Sequence, residues 1–244
     1  IFLSWSPQTH ATLNQRLAVV DGLRKRHGDV AWDLMISLLP QPHAITVPTS
    51  APQWRYVVAN ASEDSPETVV HDCVVEISAR LVEDVGDKPK RWKALLKAME
   101  LLLPDARAAI GQKLLEAEPT IVGEENRDFT RTALRKVLAR HLEFQDAHWS
   151  IPADELEIFQ TALKRFEPED MLWRHAWLFS NGTGWMGSVR EWRQSMDEAA
   201  AARAKAFEEI VEAKGIDGAL ALLDRCDHPQ WVGEAVARSS AAAS

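Results

Sequence analysis

The sequence has 244 residues, 46% of them hydrophobic and 26% charged, with a formal net charge of −8. Such a chain can bury a sizeable core, and its acidic excess disfavours nucleic acid, which needs a basic field along its phosphates. The two cysteines, Cys73 and Cys226, lie far apart and outside any CxxC spacing, which excludes a disulfide framework and a cysteine zinc site and fits a reducing, cytoplasmic compartment.

No apolar run approaches the roughly 18 residues of a membrane span, and the opening "IFLSWS" is too short for a signal-peptide core. The start at Ile1 is read as that of a processed chain or a piece of a longer protein. Ten Trp stand beside a single Tyr, and their spread along the chain suits helix packing better than one aromatic cluster.

The pattern predicts helices nearly throughout. Thr12 to His27 opens on Thr12-x-x-Gln15, a capping-box spacing. It carries Leu13, Leu17, Val20 and Leu23 on one stripe, and Gly28 stops it. Asp29 is expected to cap a second helix, with Val30, Leu34, Met35 and Leu38 inward, ending near Pro40. From Pro40 to Pro66, five prolines forbid a continuous helix; Trp54 and Tyr56 within that region are expected to pin part of it to the core. Ser65-Pro66-Glu67 is a helix start. Val70, Val74, Ile77 and Leu81 follow at helical spacing, although the β-branched content makes a strand the competing reading.

Asp87 is expected to cap the next helix, with Trp92, Leu95, Leu96, Met99 and Leu102 inward, and Pro104 to start a short one through Glu116. Glu124 to His148 reads as one long helix with Phe129, Ala133, Leu134, Val137 and Leu138 inward. Asp154 to Phe166 follows, and then a helix opened by Pro168-Glu169-Asp170 that runs to about Phe179. Val189 to Lys214 is a long helix with Val189, Trp192, Met196, Arg203, Phe207 and Ile210 on its stripe, ended by Gly215. The segments Asp217 to Cys226 and Pro229 to Arg238 make a final pair. The expected fold is all-α: about eleven helices in antiparallel pairs joined by short links, forming an irregular α-solenoid. It forms either one domain over 1–244 or two abutting subdomains of about 1–148 and 149–244.

Few motifs carry chemistry. The loop "NGTGWMG", Asn181 to Gly187, follows a helix rather than a strand and lacks a terminal Lys-Ser/Thr. It therefore reads as a helix-to-helix linker and not a phosphate cradle. His141 and His148 are seven residues apart, with Glu143 and Asp146 between them. A metal there would need further ligands from another helix, so a core histidine is the simpler reading. His71-Asp72-Cys73 looks like nucleophile chemistry, but neighbours on a helix face apart. No cofactor and no metal ligand are expected.

The stretches "RLAVVDGLRKRHGDVAWDLMISLLP" and "RAKAFEEIVEAKGIDGALALLDRCDHPQWVGEAVA" share a helix, Gly, Asp, apolar-helix order. They resemble HEAT-like helical-repeat regions of large multidomain bacterial proteins. That resemblance implies a scaffold or sensor role. Accordingly the first reading is a non-catalytic protein-interaction module, with a protein or peptide, or other domains of the same full-length chain, as partner. Trp54, Arg55, Trp185, Met186 and Arg190 are its candidate contacts, because Trp and Arg anchor interfaces. The alternative is an all-α enzyme or small-ligand-binding domain with a pocket near His141 and His148, using Glu143 and Arg140. A third reading, nucleic-acid binding through Arg131, Arg135, Lys136 and Arg140, runs against the net charge.

Overall fold

The computed structural model describes residues 11–40, 66–180 and 192–239. Their regular structure is entirely helical: α1 (Leu13–Arg26), α2 (Gly28–Leu38), α3 (Pro66–Asp84), α4 (Pro89–Lys97), α5 (Pro104–Ala117), α6 (Glu124–Glu143), α7 (Ala153–Arg165), α8 (Met171–His175), α9 (Trp192–Arg225) and α10 (Pro229–Arg238). Short 3-10 turns at Met99–Leu101, Glu118–Thr120 and Ala176–Phe179 complete it, and no strand occurs among the described residues. These residues fall into two compact units. The first comprises 11–40, 66–86 and 98–113; the second comprises 87–97, 114–180 and 192–239.

In the first unit, α1 begins as the sequence predicts. Thr12 Oγ1 accepts from the Gln15 amide at 3.3 Å, and Gln15 Oε1 accepts from the Thr12 amide at 2.9 Å. Its last turn carries Arg24, Lys25 and Arg26, matching the negative end of the helix dipole. A single residue, His27, separates it from α2, which starts at Gly28 itself and places Asp29 in the first turn rather than at the cap. Ala31, Met35 and Leu38 are the buried face of α2, with Trp32 and Leu39 beside them. Val30 is exposed, contrary to expectation; it lies about 100° around the helix from Ala31 and points away from the core. The β-branched run of α3 is helical, and Cys73, Val74, Ile77, Ser78 and Leu81 are buried.

Charge ties α1 to α3. Arg80 grips Asp21 through Nε at 2.8 Å and Nη2 at 2.9 Å. Arg24 grips Asp84 through Nε at 2.6 Å and Nη2 at 2.7 Å, and also reaches Asp21 at 3.0 Å and Glu83 at 2.6 Å. Both contacts are forked guanidinium–carboxylate pairs, the stronger class of ion pair.

The second unit packs α4 on α6, α7 on α6, α8 on α9 and α9 on α10. Trp92, Leu95 and Leu96 of α4 are fully buried, as expected. The helix α6 ends at Glu143, five residues before the predicted His148. Phe144 leaves helical geometry, and the chain turns back through Ala147 N–H to Phe144 O and Ser150 N–H to Ala147 O. The turn puts Trp149 against His141 and Phe144, at 5.6 and 5.9 Å between ring centroids. Phe129, expected inward, is exposed, with the Lys93 ammonium 4.9 Å above its ring. Asp170 caps α8, its Oδ1 accepting from the amides of Leu172 at 2.9 Å and Trp173 at 3.3 Å. Met196 of α9, also expected inward, is exposed one turn before the buried Ala200.

Gly215 breaks α9 into two arms with φ 62° and ψ −154°, at the position where the sequence predicts a stop. Only glycine adopts that backbone conformation without strain. Gly218, just beyond, is tight against the first arm: a Cβ there would lie 2.7 Å from Lys214 Cβ and 3.0 Å from Ile210 Cγ2.

Two stability experiments follow from these features. Arg80, hydrogen-bonded to Asp21, holds that carboxyl at about 2, below its ordinary 3.8. The native state therefore favours the charged form, so the contribution of Asp21 is complete above about pH 4 and is lost as the pH falls toward 2. Asp21→Asn is expected to cost about 1 kcal/mol at neutral pH, given partial screening by solvent. The gap from wild type in urea unfolding should close toward pH 2. At Gly215 nothing lies within 4 Å of an added Cβ, so Gly215→Ala reports backbone strain alone. A loss of about 1–3 kcal/mol is expected, and a melting temperature equal to wild type would contradict the break.

Candidate functional site

Those residues singled out from the sequence that the structure describes are not drawn together into one site. Trp54, Arg55, Trp185, Met186 and Arg190 lie outside the described residues, as does the glycine loop. His141 is buried and His148 exposed, on opposite sides of the end of α6, so the two do not share a helix face. His141 Nδ1 accepts from the Ile151 amide at 3.2 Å, and its carbonyl accepts from Ser150 Oγ at 3.0 Å. An accepting Nδ1 places the ring proton on Nε2. The histidine thus anchors the turn that follows α6. Among the described residues, no three His, Cys, Asp or Glu side chains converge in a way that would hold a metal ion. On α3, Cys73 is buried while His71 and Asp72 are exposed, so the three do not form a nucleophilic site.

The basic face proposed on α6 is also absent. Arg131 is 1% exposed and Arg135 is 7% exposed, so neither can meet a phosphate backbone on an open surface. Arg131 donates from Nη1 to Phe166 O at 3.4 Å and from Nη2 to Trp173 O at 2.6 Å, and it pairs with Asp128. Of that set only Lys136 and Arg140 are exposed, and the Arg140 guanidinium lies 4.3 Å from the Trp149 ring centroid.

The second arm of α9 presents a different feature. Ile216, Leu220 and Leu223 are 76%, 56% and 40% exposed. Their spacing is i, i+4, i+7, so they form one stripe along the helix. Gly218 and Leu222 are buried on the opposite face, where the arm packs with Val232 and Ala235 of α10 and with Phe207 and Ile210 of its own first arm. Asp217 and Asp224 are exposed along one side of the stripe.

Full burial of each such aliphatic side chain is worth about 1.5–3 kcal/mol. Isolated exposed apolar residues need no explanation, but an aligned row of large ones is a candidate contact surface. The sequence held a signal for it: apart from Asp217, Asp224 and Arg225, "GIDGALALLDRC" is apolar around most of its circumference, and a helix of that kind has two faces to cover. Which face meets the core depends on the break at Gly215.

Among the described residues, no helix is long and apolar enough to cross a membrane. Compared with known proteins, the sequence matches no family model, and neither a curated protein nor a solved structure aligns significantly with it.

Proposed function

We propose that this chain is a non-catalytic helical module, acting as a scaffold or sensor in a larger cytoplasmic bacterial protein, and that it docks a protein partner along the second arm of α9. The exposed stripe of Ile216, Leu220 and Leu223 carries this reading. Three anchors at i, i+4 and i+7 are the pattern by which a helix seats in an apolar groove. Asp217 and Asp224 beside the stripe, on a chain of net charge −8, suit a partner whose groove is rimmed by Lys or Arg. A pocket centred on His141 and His148 draws no support, because His141 is committed to the turn after α6 and His148 lies beyond the helix.

Site-directed photo-crosslinking tests the reading. A benzophenone side chain at position 220 is expected to give a discrete protein adduct in cells. The same probe at Lys205, an exposed position on the first arm, is expected to give none. Ile216→Asp with Leu223→Asp should abolish the adduct while shifting the melting temperature by no more than about 2–4 °C, since exposed sites contribute within about 0.5 kcal/mol each. Equal adducts from both probe positions, or a collapse of stability in the double variant, would overturn the proposal.

A further inference from the structure

In the second unit, α6, α7 and α8 enclose a cleft of about 450 Å³, a size that suits small ligands. Its apolar wall includes Leu138, Leu163 and Trp177. Arg131 and Arg135 from α6, Lys164 from α7 and Arg174 from α8 also line it, against one carboxylate, Glu167. Two of these cations are already engaged. Arg131 is held by Asp128 and two backbone carbonyls. Arg174 Nε donates to Pro168 O at 3.0 Å and lies 3.5 Å from Glu167. His175, at the same cleft, has its Nε2 2.7 Å from Glu209 Oε2.

Arg135 has no such partner. Its Nη1 is buried and makes no hydrogen bond among the described residues. Its guanidinium lies over the Trp177 ring, 3.9 Å from the centroid. Burial, and then the neighbouring Arg131, push its pKa down to about 9, so it remains a cation at neutral pH. Asp128 and Glu167 act on it only from a distance; a buried guanidinium with no carboxylate in hydrogen-bond contact is costly, and stacking on one indole offsets only part of that cost. The local balance is therefore short of negative charge inside an otherwise acidic protein.

We propose that this cleft binds a small organic oxyanion, a carboxylate or a phosphate ester. Its head is received by Arg135, with Lys164 at the exposed edge, and its apolar body lies against Leu138, Leu163 and Trp177. A guanidinium presents a planar fork of N–H donors that suits either head group. The apolar wall selects against bare inorganic ions, which leave it uncovered. This site is independent of the stripe on α9, and its test does not rely on the docking proposal.

Thermal unfolding and isothermal titration of the whole chain with phenylacetate, phenyl phosphate and inorganic phosphate, each at an ionic strength matched with chloride, test it. At least one of the two organic anions is expected to bind saturably. The melting temperature should rise by about 5–10 °C at a concentration a hundredfold above Kd. Arg135→Met should abolish that rise, weaken binding at least about thirtyfold, and leave the ligand-free protein no less stable, because it removes a buried charge that no carboxylate hydrogen-bonds. Lys164→Gln, at an exposed position, keeps the fold and should weaken phenyl phosphate, the dianion, severalfold. No saturable rise beyond the chloride control overturns the proposal. A rise that persists in Arg135→Met, or affinity for both organic anions unchanged in Lys164→Gln, does so equally.

Discussion

A protein made of short helices has many helix ends, and each end presents carbonyls that its own helix leaves unpaired. In the second unit arginine side chains supply the missing donors. Arg127 reaches Glu118 O and Arg165 O, Arg174 reaches Pro168 O, and Arg203 reaches Leu178 O. Arg131 does the most: from within α6 it takes Phe166 O, just after α7, and Trp173 O, inside α8. One forked cation thereby sets three helices against one another. Neutral donors at that depth would reach one carbonyl each, and a lysine ammonium lacks the planar fork. The rest of the unit depends on this brace, because the positions of α7 and α8 are what close the cleft beside Arg135.

Arginines also account for four of the tryptophans among the described residues. Trp149, Trp173, Trp177 and Trp231 lie under the guanidinium groups of Arg140, Arg225, Arg135 and Arg203, with centroid distances from 3.7 to 4.3 Å. Indole offers the best aromatic face for a cation and buries a large area at the same time. Trp32 and Trp92 are buried in the core. Arg131 and Arg203 combine carbonyl capping with other contacts, whereas Arg135 has only its ring. That contrast within one set of residues is why Arg135 reads as a ligand-facing group rather than another brace.

What the sequence made legible was local. Thr12 with Gln15, Pro66, Pro104, Asp170 and Gly215 each govern a helix boundary within a few residues of themselves, and each boundary falls where their chemistry requires. The failures are non-local. Glu124 to His148 is periodic throughout, but the edge contact of Trp149 with His141 and the Ser150 bond to the His141 carbonyl end α6 early, and no helix propensity encodes those contacts. Val30, Phe129 and Met196 match an apolar period on paper, yet exposure depends on which neighbour arrives at which turn. The burial of Arg131 and Arg135 was hidden for the same reason: on a helical wheel a charged residue reads as surface, and only the carbonyls of Phe166 and Trp173 make an interior place for it. The stripe on α9 was half legible, as a helix apolar over most of its circumference whose outward face could not be chosen.

That stripe is braced at both ends, which bears on what it can bind. Gly215 re-aims the second arm of α9, and the close approach at Gly218 leaves little room for the arm to swing back against Ile210. Both ends of the arm are fastened to α8. Lys214, just before the break, donates to Asp170 Oδ2 at 2.5 Å, and Arg225, at the last turn, lies 3.7 Å from the centre of the Trp173 ring. Asp170 is itself the cap of α8, so its second oxygen links the start of one helix to the kink of another. A partner seating on Ile216, Leu220 and Leu223 would meet a face whose backbone is already ordered. The entropic cost of association would then fall mainly on the partner and on three aliphatic side chains with few rotamers. A short stripe on a braced helix can bind more tightly than its area alone suggests.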